Sequence, residues 1–231
     1  YDERWLSYRI SLFENITLPS ITRQKLLPDR WALIVDPNMP RAPRSRLELL
    51  ISPYSFIKIV EGSYESDYGR FLVEAPLELA CEQNKPFVAS CRLDDDDAIQ
   101  REAIEQMAQA LDREQGRLVS GSVPGAVVYV ADGFKYSPEY KRLLRFRPPY
   151  SIAILLSRVQ PVTTYERYTF DTSKGHTDYA SVAKNSGYSV IGLEYDKPGF
   201  LYTRHKCSDS TRKHELVKFV SDPRSIASDC N

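Results

Sequence analysis

Four consecutive aspartates, Asp94 to Asp97, follow an apolar segment, Pro86 to Leu93, whose composition is typical of a strand. Four like charges side by side repel one another unless positive charge neutralises them. At the carboxyl end of a buried strand, that positive charge is often a divalent cation that also carries phosphates. The aspartate run therefore predicts a metal and phosphate site at the end of this strand.

Helix capping is the simpler interpretation of the same run. An apolar stripe predicts a helix directly after the aspartates, at Ile99, Ala103, Ile104, Met107 and Leu111. An aspartate before a helix is a good N-cap, and further carboxylates in the first turn suit the helix dipole. Capping explains one or two of the carboxylates but does not need four.

Composition and charge narrow the class of protein. The 231 residues suffice for one large domain or two small ones, and 42% hydrophobic with 27% charged residues is ordinary for a soluble globular protein. Lys plus Arg equals Asp plus Glu at 31 each, so no overall basic field argues for nucleic acid. No apolar run approaches the length that crosses a bilayer.

Cysteine usage and the start of the chain bear on its compartment. The four cysteines form no CxxC pair and are too sparse for a disulfide scaffold, which favours a reducing cytosol. The chain shows no secretory signal at its start, and it opens with Tyr1 rather than Met, so further upstream sequence is compatible with it.

Strand and helix patterns alternate through the first half of the chain. Helices are expected at 4–24, 44–51 and 68–83, with Pro19 bending or ending the first, and strands at 31–35, 56–60 and 86–93. This alternation predicts an α/β fold, a mostly parallel sheet flanked by helices on both faces. Right-handed crossovers would place Asp36, Glu61 and the aspartate run, all at strand carboxyl ends, along one rim.

The pattern changes after Gly116. Strands are expected at 117–123, 126–130, 151–156, 188–193 and 199–203, with a hairpin turn at Asp132-Gly133. One or two helical turns are expected at 138–144, a helix at 177–185, and a surface helix with a loose tail from 208.

Two aspartates separated by one residue can take two different roles in one site. One can coordinate a metal ion while the other reaches the ribose of a nucleotide. The metal then bridges a diphosphate and stabilises the charge that develops on the leaving group. The run contains this spacing twice, as Asp94 with Asp96 and as Asp95 with Asp97, so its register stays open.

Three stretches resemble a known family. The first is Leu12-Phe-Glu-Asn-Ile-Thr-Leu-Pro-Ser-Ile21 with Gln24, followed by Trp31-Ala-Leu-Ile-Val-Asp36. The second is Arg92-Leu-Asp-Asp-Asp-Asp-Ala98. The third combines Gly175-His-Thr-Asp-Tyr179, Asn185-Ser-Gly-Tyr188 and Leu201-Tyr-Thr-Arg-His205. Over about residues 9 to 210, the chain resembles the GT-A-fold glycosyltransferases, and among them the putative rhamnosyltransferase family of bacteria.

The resemblance implies a single GT-A-like, Rossmann-like domain over 1–210. Its nucleotide-binding half would cover about 1–115 and its acceptor half about 116–210, with a C-terminal helix or tail at 211–231. The implied activity is metal-dependent transfer of a sugar, with inversion, from a nucleotide-sugar donor to a saccharide or glycolipid hydroxyl. Mn²⁺ or Mg²⁺ would be the cofactor. Synthesis of a bacterial surface polysaccharide, in the cytoplasm or at the inner face of the membrane, would be the setting.

The resemblance also implies roles for individual residues. Asp36 would contact the nucleotide base, and Asp94 the ribose or the metal. Asp96 would be the main metal ligand, and His205 a further ligand of the metal or the diphosphate. Asp97 would support the site or bind the sugar.

Four further residues complete the implied site. Asp178 lies where such enzymes place the general base that takes the acceptor's proton, but His176 beside it is an alternative base. Arg92 either pairs with the aspartates or binds the donor, and Asp95 joins the donor-binding set through the second register of the run.

One departure concerns the start of the domain. A GT-A domain normally opens with a strand whose end touches the nucleotide, and that strand would precede Tyr1. Either it belongs to upstream sequence or the first strand differs in this chain.

Two other functions fit an acidic cluster on such a sheet. A nucleotidyltransferase would have a Gly-rich phosphate loop near the start, which the sequence lacks. A non-catalytic module would use the aspartates only to bind calcium or a carbohydrate.

Overall fold

The computed structural model describes residues 2–62, 68–148, 154, 156–167, 179–193 and 197–205, without the side chains of 68–73 and 166–167. The helices are α1 (Glu3–Leu12), α2 (Leu18–Thr22), α3 (Arg41–Ile51), α4 (Tyr68–Glu82), α5 (Ala103–Val119) and α6 (Tyr179–Asn185). The strands are β1 (Trp31–Val35), β2 (Ile57–Glu61), β3 (Phe87–Cys91), β4 (Ala98–Ile99), β5 (Ala126–Val130), β6 (Gly133–Ser137), β7 (Arg142–Phe146), β8 (Ser157–Pro161), β9 (Ser189–Leu193) and β10 (Phe200–Thr203).

The described strands form three sheets. Strands β1 and β2 pair in parallel, and the two four-stranded sheets have the orders β3-β8-β5-β9 and β4-β10-β6-β7. Among these strands, three pairings are parallel and four are antiparallel. The predicted α/β class is confirmed, with sheets that are more evenly mixed than the mostly parallel sheet that was expected.

The first helical segment passes through Pro19 without ending. A π-helical turn, Phe13–Thr17, joins α1 to α2, and Pro19 lies in the first turn of α2. Proline lacks an N–H group and its ring crowds the carbonyl four residues earlier, so a local widening of the helix accommodates it. The predicted bend at Pro19 thus takes the form of a π-helical turn.

The helix expected directly after the aspartates begins later, so the capping interpretation is wrong for this helix. Strand β4 comes first, and α5 starts at Ala103 with Glu102 in the N-cap position. The side chain of the buried Gln24 serves the first turn of α5, because its Oε1 accepts a hydrogen bond from the Ile104 N–H at 3.2 Å. Its Nε2 donates to the Gln100 carbonyl at 2.7 Å, which fastens α2 to the segment after the aspartates.

Several predictions for the second half are wrong. Helix α5 extends to Val119, because Leu118 continues its buried face. A strand was expected at 117–123, and the helix occupies the start of that range instead. Strands β6 and β7 pair antiparallel from Gly133 opposite Phe146 to Ser137 opposite Arg142, where helical turns were expected. Since β5 and β6 belong to different sheets, Asp132-Gly133 is not a hairpin turn between them. The expected strand at 151–156 lies largely outside the described residues, and β8 follows it at 157–161.

The main core lies between α5 and the strands that lead to the site. Ile104 and Met107 of α5 pack in one cluster with Val128 of β5 and Phe200 of β10. Gly133 is required by this packing, because a Cβ atom there would lie 2.3 Å from Cδ2 of the Phe200 ring. The close approach of β6 to Phe200 fixes the strand that ends two residues before His205.

Candidate active site

The aspartate run forms the turn between β3 and β4. The Asp97 N–H donates to the Asp94 carbonyl at 3.3 Å, which closes the turn. Strand β4 then pairs antiparallel with β10, with Ala98 opposite Leu201. Because the two strands run in opposite directions, the residues that precede β4 lie beside those that follow β10.

This pairing brings Asp96 to His205 across 109 residues of sequence. Asp96 Oδ2 lies 2.9 Å from His205 Nε2. The imidazole is fully buried at 0% exposure and the Asp96 side chain is 8% exposed. The ring of Tyr8 in α1 packs edge-on against the imidazole, with 5.2 Å between ring centroids. Two residues that the sequence analysis assigned to the metal therefore meet in the folded chain.

Arg9 of α1 is the residue that sequence reasoning missed. Its guanidinium forms a two-pronged ion pair with Asp95, in which Nε donates to Oδ2 at 3.0 Å and Nη2 donates to Oδ1. Its Nη1 donates to Asp96 Oδ2 at 3.1 Å and lies 3.3 Å from His205 Nε2. The sequence gives one weak signal for it, a charged residue directly before the buried Ile10 of an amphipathic helix.

Asp97 faces the opposite way, into the protein. Its Oδ1 accepts a hydrogen bond from the Thr203 N–H of β10 at 2.8 Å, and its side chain is buried. Burial, together with the negative charge of Asp96, raises the pKa of Asp97 well above its usual value, while the Thr203 hydrogen bond and Arg204 oppose this shift. This placement favours the supporting role of the two that the sequence analysis left open for Asp97.

Asp94 and Arg92 lie at the more open side of the turn. Arg92 Nε is 3.3 Å from Asp94 Oδ1, and both side chains are partly exposed. The structure thus shows Arg92 paired with one of the aspartates, and its expected role in donor binding stays a prediction.

Asp36 follows β1, as expected, but the single rim predicted for Asp36, Glu61 and the aspartate run is wrong, because β1 and β2 form one sheet and β3 belongs to another. Its Oδ1 accepts a hydrogen bond from the Asn38 N–H at 2.7 Å, which shapes the turn after the strand. Val35, the preceding residue, lies opposite Glu61 at the carboxyl end of β2. The two expected rim residues of this sheet therefore lie at the same edge, and contact of Asp36 with a nucleotide base stays a prediction.

The two candidates for the general base, His176 and Asp178, lie outside the described residues. Helix α6 begins directly after them, at Tyr179. Their roles stay predictions.

A divalent cation at the turn stays a prediction. The 2.9 Å between Asp96 Oδ2 and His205 Nε2 is a hydrogen-bond distance. Within the described residues, no group of three or more His, Cys, Asp or Glu side chains is placed to hold a metal ion. Mg²⁺ commonly takes one or two protein carboxylates and completes its shell with water and substrate phosphates, so the Asp96 carboxylate alone is of a type that such an ion accepts.

A search of the described helices found none with the length and apolarity needed to span a bilayer.

The α/β fold thus brings a carboxylate that follows a strand beside a buried histidine. Comparison with protein families gives the class of protein. The chain belongs to the family described as "Putative rhamnosyl transferase", whose model matches residues 1–215. The expected glycosyltransferase class is therefore confirmed. No functionally curated protein matches the chain significantly.

Solved structures that are similar to this chain include TarS of S. aureus. TarS 1–349 is 14% identical with a TM-score of 0.49, over 83% of this chain and 56% of that one. The complex of TarS 1–349 with UDP is 15% identical with a TM-score of 0.44, over 81% of this chain and 55% of that one. The complex with UDP-GlcNAc is 13% identical with a TM-score of 0.47, over 87% of this chain and 59% of that one. The chain thus spans little more than half the length of these TarS 1–349 structures.

Proposed function

We propose that this glycosyltransferase moves a sugar from a nucleotide-sugar donor to a hydroxyl of a saccharide or glycolipid acceptor. The observation that carries the proposal is the contact of Asp96, from the turn after β3, with His205 after the end of β10. Family membership supplies the reaction class, and this meeting supplies a place where charge on a diphosphate can be handled.

The donor would lie across the aspartate turn. Asp96 and His205 would contribute ligands to Mn²⁺ or Mg²⁺, with water and the phosphates of the donor completing the shell, and the ion would neutralise the charge on the departing nucleoside diphosphate. Asp94 or Asp95 would reach the ribose, and Asp36 the base. Arg92, paired with Asp94, would add positive charge beside the diphosphate.

The acceptor would be activated from the opposite side of the sugar. Asp178 or His176 would take the proton of the attacking hydroxyl, and attack opposite the leaving group inverts the sugar centre. Bacterial surface polysaccharide synthesis, in the cytoplasm at the inner face of the membrane, is the setting that we propose.

A nucleotide-sugar screen tests the proposal. The full-length protein is incubated with Mn²⁺ or Mg²⁺ and a panel of UDP-, GDP- and dTDP-sugars, and release of the nucleoside diphosphate is measured. We expect turnover of at least one donor and metal-dependent thermal stabilisation by the matching diphosphate. Asp96→Asn should lose both, and Asp112→Asn, on the exposed face of α5, should keep both.

Absence of turnover and of nucleotide stabilisation for the whole panel would contradict the proposal. Stabilisation by calcium or a saccharide, without any response to nucleotides, would favour the non-catalytic module instead.

A further inference from the structure

We infer that a cavity between α1 and α3 binds a neutral saccharide and holds the acceptor sugar beside the candidate active site. The inference rests on the proposed function for the identity of this saccharide as the acceptor. It adds a binding site in a part of the molecule to which the proposed donor contacts do not extend.

The cavity is a groove of about 550 Å³ along α1. Sites for small molecules typically have volumes of about 300–1,000 Å³. One wall consists of side chains that share a face of α1, because they are three or four residues apart, and the other wall comes from α3. The lining residues are Glu3, Arg4, Ser7, Tyr8, Ser11 and Arg46.

Most polar side chains of the cavity are available to a ligand. Within the part of the chain that the structure describes, no hydrogen bond or ion pair engages the side chains of four lining residues, which are Glu3, Arg4, Ser7 and Ser11. A carboxylate accepts hydrogen bonds, a guanidinium donates them, and a serine hydroxyl does both. The set therefore matches the hydroxyl groups of a sugar, each of which can donate and accept.

The charges at the cavity balance one another, which favours a neutral ligand. Arg46 Nη2 donates to Glu14 Oε2 at 2.5 Å, so the charge of this guanidinium is already paired. Glu3 and Arg4 contribute one charge of each sign. A nucleoside diphosphate would need an excess of positive charge instead, so the cavity suits the acceptor sugar better than the donor.

Tyr8 connects the cavity with the candidate active site. Its side chain lines the cavity, and its ring packs edge-on against the imidazole of His205, with 5.2 Å between ring centroids. Tyrosine combines an apolar ring with a polar tip, which suits the C–H and hydroxyl groups of a sugar. A saccharide in the cavity would therefore lie one side chain away from His205.

Saturation-transfer difference NMR on the full-length protein tests this inference. The probes are the neutral disaccharides maltose, cellobiose, lactose and N,N′-diacetylchitobiose, each titrated without donor. We expect wild type to bind at least one of them. Ser11→Trp, whose indole would fill the groove, should weaken that binding about tenfold or more, and Arg4→Ala about three- to tenfold through the loss of hydrogen-bond donors.

Ser45→Trp is the matched control, because Ser45 is an exposed serine of α3 that does not line the cavity. Its saccharide affinity should equal that of wild type. Thermal melting shows whether each variant is folded, and Arg4→Ala, a change of an exposed side chain, decides the test if Ser11→Trp is not.

Three results would overturn the inference. They are the absence of binding of any probe to wild type, unchanged affinity in the folded variants of Ser11 and Arg4, and displacement of the bound saccharide by inorganic pyrophosphate, which would indicate an anion site.

The nucleotide-sugar screen separates this inference from the proposed function. Donor turnover by wild type, with saccharide binding that is equal in wild type and Ser11→Trp, would refute only the role of the cavity. Saccharide binding that Ser11→Trp weakens, in a protein that turns over no nucleotide sugar, would support the saccharide site and refute the donor chemistry.

Discussion

Asp96 and Asp97 are neighbours in sequence and both buried, yet they contact different partners. Asp96 contacts His205 and Arg9, whereas Asp97 accepts a hydrogen bond from the Thr203 N–H. Both contacts depend on the same strand, β10, because Thr203 and His205 lie two residues apart at its end. One run of identical side chains thus serves a candidate site on one side and fastens the strand that carries that site on the other.

The largest expected effect is a loss of activity on substitution of Asp96, and this effect would distinguish Asp96 from Asp97. Asp96→Asn should lower nucleotide-sugar turnover about 100-fold or more, because it weakens the charge that holds the metal and diphosphate. Steady-state kinetics with the donor found by the screen checks this. Turnover within a few fold of wild type would remove Asp96 from the site.

His205 tests whether the partner of Asp96 shares its role. His205→Gln should lower turnover about 10- to 100-fold and weaken Mn²⁺ binding, since an amide is a poor replacement for an imidazole ligand. Metal titration together with kinetics measures both effects. A variant that melts lower but binds Mn²⁺ as wild type does would make His205 a packing residue against Tyr8.

The interior side of the comparison is tested by stability. Asp97→Ala should lower the free energy of unfolding by about 1–3 kcal/mol, because the Thr203 N–H then loses its acceptor in a buried place. Asp97→Asn keeps an acceptor oxygen and should lose less. Urea unfolding monitored by circular dichroism gives both values, and equal losses in the two variants would show that the hydrogen bond contributes little.

Gln24 offers the smallest effect and a second support of the turn. Gln24→Ala should cost about 1 kcal/mol of stability, as for loss of a helix cap, because the Ile104 N–H in the first turn of α5 loses its partner. Donor turnover should stay within a few fold of wild type. A loss of turnover as large as that of Asp96→Asn would place Gln24 in the site itself.

The first half of the fold could be predicted because its strands and helices carry regular apolar patterns, as in Trp31–Val35 and in the stripe of α5. Strand β8 was missed because its buried side chains include Ser157, Arg158 and Gln160, which are polar and hide the strand pattern. The hairpin of β6 and β7 was missed for a different reason. Strand β6 pairs with β10, which is distant in sequence, and strand formation depends on such pairing more than on local propensity.

The site was predictable only in its local part. The aspartate run and His205 are visible as residue types at strand ends, but their meeting depends on the antiparallel pairing of β4, a strand of two residues. Arg9 is 86 residues from Asp95 in sequence and belongs to a helix with no motif of its own. Contacts between such distant segments follow from packing, which the local pattern does not encode.

The most direct test of the division between Asp96 and Asp97 is one assay of nucleotide-sugar turnover, with Mn²⁺, on wild type, Asp96→Asn and Asp97→Asn. Melting of all three is measured alongside, so that the rates refer to folded protein. We expect Asp97→Asn to retain a rate within about tenfold of wild type and Asp96→Asn to lose about 100-fold or more. Equal losses in the two folded variants, or full activity of Asp96→Asn, would contradict the assignment of the site to the side of the turn that faces His205 and Arg9.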